Sequence, residues 1–252
     1  MIAEVTVETA LLAIFLAFCR IGACFMLMPG LSSVRVPMQV RLFIAVAVSL
    51  ALFAHLSPAI VPHVDASAGR LFTLIGSEIL IGATIGLVAR FYLLAVQYIA
   101  SVIAMVSGFN AMAGVAVEET DPQSPLAAVI SFSALLILFL LDFHHAVVRA
   151  LVDTYEVMPL EALFDPRVAL MNLVDTISDA FFVMIRLGSP FIAYAILVNL
   201  AIGLVNKLTP QIPIYFVALP FVIAGALIMM YFAISPMLGL MADGFIPVTV
   251  GR

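Results

Sequence analysis

The sequence predicts an all-α, polytopic membrane protein built from kinked helical hairpins. Of its 252 residues, 65% are hydrophobic and 10% are charged, whereas an ordinary soluble domain is about 45–50% apolar and about 25% charged. The mean hydropathy is +1.27. A soluble fold with so few charged side chains could not cover its surface with water-compatible groups. Lipid or partner subunits must therefore cover much of this chain.

Six long apolar stretches support this prediction. They span residues 9–28, 42–60, 71–107, 126–141, 173–205 and 212–241. Most of them reach the roughly 20 residues that a helix needs to cross a hydrocarbon core. The stretch at 71–107 would extend roughly 55 Å as one straight helix. It must therefore bend, fold back or continue beyond the bilayer.

Proline, glycine and arginine interrupt three of these stretches. The candidate breaks are Gly82, Gly86, Arg90, Gly188, Ser189, Pro190, Pro220 and Pro236. A proline removes a backbone donor and clashes with the preceding turn, and in lipid the freed carbonyl needs another partner. We therefore expect bent hairpins that pack against other helices. No repeat or linker divides the chain, so one membrane domain is predicted over residues 1–252.

Four charged residues lie inside apolar stretches: Arg20, Glu78, Arg90 and Arg186. A charge at the bilayer centre costs roughly 2.5–3.5 kcal/mol on insertion scales, so each needs a partner, water or an interface position. A transporter would concentrate such groups near the midplane of broken helices, and here they are scattered. Pairing between helices or subunits is therefore favoured over a proton or ion path.

No catalytic residue, cofactor or metal site is predicted. The segment Asp142-Phe143-His144-His145 suggests a metal, but adjacent side chains on a helix point about 100° apart, whereas zinc ligands must converge. Ser189 lacks the G-x-S-x-G context of an exposed serine nucleophile. A net charge of −5 with ten thinly spread basic residues opposes nucleic-acid binding.

Short motifs of proline, glycine and charge recur in a fixed order along most of the chain. They comprise Arg20, Ile21, Gly22, Pro29, Gly30, Val36, Pro37, Arg41, Glu78, Gly82, Gly86, Arg90, Gly108, Asp121, Pro122, Pro125, His145, Pro159, Lys207, Pro210, Gln211, Pro220 and Gly225. Their order and spacing, over roughly residues 11–237, resemble the FliR family, whose virulence-system counterpart is called SctT. No single motif is specific by itself.

The resemblance implies a subunit of the gate that passes unfolded flagellar proteins across the bacterial inner membrane, at the flagellar basal body. The implied partners are FliP-like and FliQ-like membrane subunits, FlhB-like and FlhA-like export components, unfolded export substrates and membrane lipid. Residues 1–170 would form a FliP-like part and residues 171–252 a FliQ-like hairpin. Packing or interface roles are implied for Arg20, Pro29, Gly30, Pro37, Arg41, Glu78, Arg90 and Pro190.

The resemblance also implies two functional segments. The first is a plug that blocks the closed pore, consisting of Gly108, Phe109, Asn110, Ala111, Met112, Ala113 and Gly114. This loop is longer than the family's and keeps only Phe109 of its aromatic residues, and an exposed acidic loop is the alternative. The second is a turn at the cytoplasmic entrance, formed by Asn206, Lys207, Pro210 and Gln211.

Three other functions compete with a flagellar export gate. An injectisome subunit of the SctT type would share the same motifs, and the flagellar system is favoured on their general character. A secondary transporter would need inverted repeats and binding groups at the midplane. An intramembrane hydrolase would need a convergent catalytic site. The sequence contains neither feature, so no enzyme is predicted.

Overall fold

Helices dominate the structure. The computed structural model describes residues 6–64, 67–109 and 124–250, with side chains throughout except at 238 and 242–250. The helices in these ranges are α1 (Val7–Leu27), α2 (Met38–Ile60), a short 3-10 helix (Val61–His63), α3 (Ala68–Val106), α4 (Pro125–Leu140), α5 (Phe143–Val157), α6 (Pro166–Leu208) and α7 (Ile214–Val250). No strand occurs in these ranges, so the predicted all-α class is confirmed.

Several of these helices can cross a membrane. Among the described residues, α1, α2 with its 3-10 extension, α3, α6 and the part of α7 up to Met241 are each long and apolar enough. The helices α4 and α5 pass the same test only together, as one broken span or a re-entrant segment. Five candidate spans, or six with that pair, confirm the prediction of a multi-pass membrane protein.

Hydropathy alone did not predict α5. This helix buries every fourth residue, namely Phe143, Val147, Leu151 and Tyr155, so one face meets the protein interior. The opposite face exposes Arg149, Asp153 and Glu156. These charges lower the mean hydropathy of the segment. A search of the sequence for apolar stretches therefore finds the preceding helix, α4, and misses α5.

The chain forms two compact units. The first contains α1, α2, the part of α3 up to Tyr92, α5 and the start of α6 up to Ile177. The second contains the rest of α3, α4, the remainder of α6 and α7 as far as Pro247. The two longest apolar stretches of the sequence, α3 and α6, thus contribute to both units.

In the first unit, two glycines let α3 approach the backbone of α1. A Cβ atom at Gly82 would collide with the carbonyl oxygen of Arg20, and one at Gly86 would lie 2.7 Å from that of Cys24. Residues four apart share one helix face, and small residues at this spacing let membrane helices pack closely. The sequence suggested that these glycines interrupt the helix. Instead, α3 continues through both of them and uses them for packing.

An arginine holds the turn between α1 and α2. The Arg41 side chain donates from Nε to the carbonyl oxygen of Val36 at 3.1 Å and from Nη2 to that of Ser33 at 2.5 Å. Gly30 has a φ of 81°, which a residue without a Cβ adopts at little cost. The guanidinium thus provides donors for carbonyl groups of a turn whose chain lies outside the regular helices.

In the second unit, α6 and α7 form a hairpin joined by a tyrosine. The Tyr194 hydroxyl donates to the carbonyl oxygen of Val222 at 2.9 Å. Its ring lies over Gly225, where an added Cβ would collide with the hydroxyl oxygen. The glycine therefore provides the space in which the tyrosine reaches the neighbouring backbone.

Pro190 lies inside α6, which continues past it. A proline at this position cannot donate to the carbonyl of the residue four positions earlier, which is Arg186. The Ser189 hydroxyl donates to that same carbonyl at 3.2 Å. A serine hydroxyl thus replaces the missing backbone donor, as membrane helices with an internal proline require.

We predict that Gly82→Ala destabilises the protein, because the new Cβ would meet the backbone of α1 and force the two helices apart. Overpacking of this kind costs about 1–3 kcal/mol. Thermal unfolding in detergent measures the effect. Gly76→Ala is the matched control, since no atom lies within 4 Å of a Cβ at this position of the same helix. Equal unfolding temperatures for the two variants would contradict the packing role of Gly82.

Candidate functional site

A buried ion pair lies at the centre of the first unit. Arg20 on α1 donates from Nε to Oε2 of Glu78 on α3 at 2.8 Å, and from Nη2 to Oε1 at 2.6 Å. The two side chains are 0% and 1% exposed. This two-point geometry makes the pair a strong, directional contact. The structure thus joins two of the four charges that the sequence places in apolar stretches.

Residues at the end of α5 complete the hydrogen bonding of this pair. The Tyr155 hydroxyl donates to Oε2 of Glu78 at 3.1 Å. Arg20 donates from Nη1 to the Thr154 hydroxyl and from Nη2 to the carbonyl oxygen of Met158, each at 3.2 Å. Its guanidinium carbon also lies 3.8 Å from the centre of the Tyr155 ring, within cation–π distance. The network therefore connects α1, α3 and α5.

Sequence reasoning did not identify the α5 members of this network. Tyr155 is the last residue of the buried four-residue repeat of that helix. A tyrosine on an apolar face needs a partner for its hydroxyl, and this requirement is the signal that could have identified it. Thr154 contributes a hydroxyl and Met158 contributes a backbone carbonyl. The sequence around these two residues does not indicate that either one bonds to Arg20.

The network determines helix position more than it adds stability. Removing two charges from water costs several kcal/mol for each ion, and a well-formed pair roughly compensates for this cost. Once the pair is buried, however, moving any of the three helices would break a charged hydrogen bond in an apolar interior. Arg20 and Glu78 thus select one arrangement of α1, α3 and α5.

A cleft of about 410 Å³ opens beside this network, within the first unit. Its walls are α3, α5, the segment after α5 and the start of α6, and most of its lining is apolar. The backbone N–H of Phe164 donates to the Ser77 hydroxyl at 2.8 Å, which holds the segment after α5 against α3. The cleft was not predicted, because two stretches far apart in the sequence, residues 81–88 and 150–176, form it.

The predicted plug segment begins at a glycine that packs on α7. Gly108 has a φ of 82°, and its N–H donates to the carbonyl oxygen of Met105 at 3.2 Å, so it ends α3 in a left-handed turn. A Cβ here would lie 3.2 Å from Leu219 and 3.4 Å from Ile223. Phe109 is half-buried. The remaining plug residues, Asn110, Ala111, Met112, Ala113 and Gly114, lie outside the described residues.

The four residues of the predicted entrance turn lie together at the tip of the α6–α7 hairpin. Asn206 and Lys207 belong to the last turn of α6, and Pro210 and Gln211 follow in the connecting turn. All four are exposed. The Lys207 ammonium lies at the negative end of the helix dipole, where a cation is favoured. Lys207 is also the sole lysine of the sequence.

The remaining residues of the predicted interface set are distributed over both units. Pro29 is buried and Gly30 half-buried in the turn after α1, and Pro37 is exposed at the start of α2. Arg90 is half-buried on α3, and Pro190 is exposed on α6. Four of them lie in the first unit and Pro190 lies in the second, and the interface role of all five stays a prediction.

Comparisons with known proteins agree on one family. The sequence profile of the family described as bacterial export proteins, family 1, matches residues 11–246. The chain is 29% identical over 205 residues to the flagellar biosynthetic protein FliR of Caulobacter vibrioides, covering 81% of each chain. It is 27% identical over 228 residues to the FliR protein of Bacillus subtilis, covering 88% of this chain and 86% of that one.

A relative named for Yop translocation is similar to the same extent. The Yop proteins translocation protein T of Yersinia pestis is 27% identical over 237 residues, which cover 92% of this chain and 89% of the relative. These matches confirm the resemblance to the FliR and SctT family that the order of motifs indicated.

We predict that Glu78→Ala costs about 3–5 kcal/mol of stability, because it leaves the Arg20 charge buried without its partner. Tyr155→Phe should cost less, about 1.5–3 kcal/mol, since it removes one hydrogen bond to a charged group. The double variant Arg20→Met with Glu78→Leu should regain most of the loss. Thermal unfolding of all variants in detergent measures these differences. A double variant as unstable as Glu78→Ala would refute the pairing.

Proposed function

Because the chain belongs to the bacterial export proteins, family 1, we propose that this type III export subunit builds the export pore together with FliP-like and FliQ-like subunits. The pore lies in the bacterial inner membrane at the flagellar basal body and passes unfolded flagellar proteins. The observation that carries the proposal is the family match over residues 11–246. The role of the chain in this pore is to form its wall, without catalysis.

The exposed surface of α7 supports the proposal of obligate partners. Large apolar side chains of this helix face outward, with Phe221 75% exposed and Tyr231 77% exposed. Phe216 and Phe232 are exposed to a similar extent. Lipid or neighbouring protein must cover such a surface.

The length of α6 indicates that protein, and not lipid, covers part of the exposed apolar surface. This helix has 43 residues, and as an unbent helix it would be roughly 65 Å long, against a hydrocarbon core near 30 Å. Apolar side chains beyond the core cannot meet acyl chains. We infer that FliP-like and FliQ-like helices cover them in an assembly that rises above the bilayer.

We assign residues 1–170 to a FliP-like part and residues 171–252 to a FliQ-like hairpin. The hairpin of α6 and α7, joined at Tyr194 and Val222, supports the second assignment. Its exposed tip around Lys207 and Gln211 is the proposed cytoplasmic entrance, where FlhA-like and FlhB-like components deliver substrates. The exposed position of Lys207 supports a long-range electrostatic role for this residue.

A flagellar system is preferred over an injectisome. The relatives from Caulobacter vibrioides and Bacillus subtilis are named flagellar biosynthetic proteins. The Yersinia pestis relative is named for Yop translocation and covers 92% of this chain, so the injectisome is the second candidate. Deleting the gene and scoring motility separately from secretion of virulence proteins distinguishes the two.

We predict that the chain, extracted from native membranes in mild detergent, co-purifies with two other small polytopic membrane proteins. The partners should remain bound because they cover the apolar faces of α6 and α7. Mass spectrometry of the purified particle identifies them. A monodisperse chain without other membrane proteins, stabilised by a small metabolite, would instead support a transporter.

We also predict that deletion of residues 110–114 makes the membrane permeable to small ions while the gate still assembles. The reason is that these residues make up most of the proposed plug, 108–114, whereas Gly108 retains its packing on α7 in the shortened chain. Ion leakage in cells and co-purification of the partners measure the two effects. Deletion of residues 117–121 from the acidic part of the same loop is the matched control. Equal leakage from both deletions, or from neither, would favour an exposed acidic loop.

A further inference from the structure

Three side chains with metal-binding atoms meet at the break between α4 and α5. Asp142, His144 and His145 each offer one ligand atom, and these atoms lie within 4.8 Å of one another. From the sequence we expected the two histidines to point about 100° apart on a helix. Their ring centroids are only 4.1 Å apart, so this expected divergence is wrong. Both histidines lie in the first turn of α5. The conformation of Asp142, the residue before that helix, determines which side chains lie near them.

The backbone of Asp142 explains the convergence. Its φ of 54° and ψ of 31° are left-handed, a conformation that Asp tolerates better than most residues. Its carbonyl oxygen accepts from the N–H groups of His145 at 2.9 Å and Ala146 at 3.1 Å, which starts the helix. An N-terminal Asp normally caps with its side chain from an extended backbone. Here the carboxylate makes no capping hydrogen bond and faces His145 instead.

The distance between these two side chains fits a shared metal ion better than a direct hydrogen bond. Nδ1 of His145 lies 3.5 Å from Oδ1 of Asp142, beyond the roughly 2.7–3.2 Å of a good N–H···O bond. Two ligand atoms that each lie about 2.1 Å from a tetrahedral zinc ion are about 3.4 Å apart. Asp142 and His145 thus need little movement to hold such an ion, and His144 offers a third ligand atom within 4.8 Å of theirs.

We propose that Asp142, His144 and His145 bind a divalent transition-metal ion of the zinc class. Two imidazoles and one carboxylate are a ligand set that such ions prefer, and water completes the coordination. Asp142 and His145 are 74% and 75% exposed in the isolated chain, so an ion in solution has access to them in the purified protein. A bound ion would connect Asp142, whose backbone is left-handed, to the first turn of α5. It would thereby restrict the motion of the chain at the break between α4 and α5.

The remaining histidines provide a contrast. His63 pairs with Glu161 at 3.2 Å, which supplies two ligands at most. Among the described residues, Asp142, His144 and His145 are the group of three that could hold an ion. The two cysteines, Cys19 and Cys24, are buried in α1.

The test uses the full chain, purified in detergent through a tag without histidine and freed of metal with a chelator. Titration with Zn²⁺ by calorimetry, and with Co²⁺ by visible absorption, should show one ion per chain with nitrogen and oxygen ligands. The double variant His144→Gln with His145→Gln should bind at least about 10-fold more weakly. Asp142→Asn, which tolerates the left-handed backbone, should weaken binding in the same direction.

The matched control is the double variant His55→Gln with His63→Gln, which removes the same number of histidines and should bind as the original chain does. Circular dichroism and size-exclusion elution check that each variant is folded. Absence of Zn²⁺ and Co²⁺ binding to the original chain would overturn the proposal, as would equal affinity in the Asp142→Asn variant. If the double variant His144→Gln with His145→Gln does not fold, ion binding to the original chain and to the Asp142→Asn variant still tests the proposal. The result is independent of export, since binding is measured on the purified chain.

Discussion

A charge or backbone carbonyl that leaves water must find a partner inside the protein, and this constraint organises the chain. Arg20 and Glu78 satisfy each other in the first unit, and Thr154, Tyr155 and Met158 satisfy the groups that remain. Because each bond has a direction, the pair restrains helices that apolar packing alone would allow to slide. The polar interior therefore acts mainly through specificity, the role for which buried ionic groups are best attested.

The same constraint operates where helices contain residues that would otherwise interrupt them. The Ser189 hydroxyl supplies the donor that Pro190 removes from α6. The Arg41 guanidinium satisfies carbonyl groups of the turn before α2. Glycines act differently, since Gly82 and Gly86 let two backbones touch and Gly225 makes room for a tyrosine. Residues that break helices in water thus lie here within helices that continue, where they contribute to packing.

The first unit encloses the ion pair of Arg20 and Glu78 beside a cleft. Both units expose large apolar side chains, such as Phe43 and Phe72 in the first and Phe221 and Tyr231 in the second. A protein that buried all of its apolar surface by itself would have no need of neighbours. The exposed faces of α6 and α7, together with the length of α6, explain how a small chain can serve as one part of a larger membrane assembly.

The sequence by itself determined the membrane class, the positions of the six apolar helices and the family, because hydropathy and the order of proline, glycine and charge are local or linear properties. It also indicated that Arg20 and Glu78 needed partners, although not that they are each other's partner. Only the tertiary structure decided that pairing, the contribution of Tyr155 and the use of Gly82 for contact. It also revealed α5 and the convergence of His144 with His145. Most of these features depend on contacts between residues that are far apart in the sequence, and one depends on the backbone angles of Asp142. The periodicity of the sequence encodes neither, which is the physical reason that the sequence alone did not predict them.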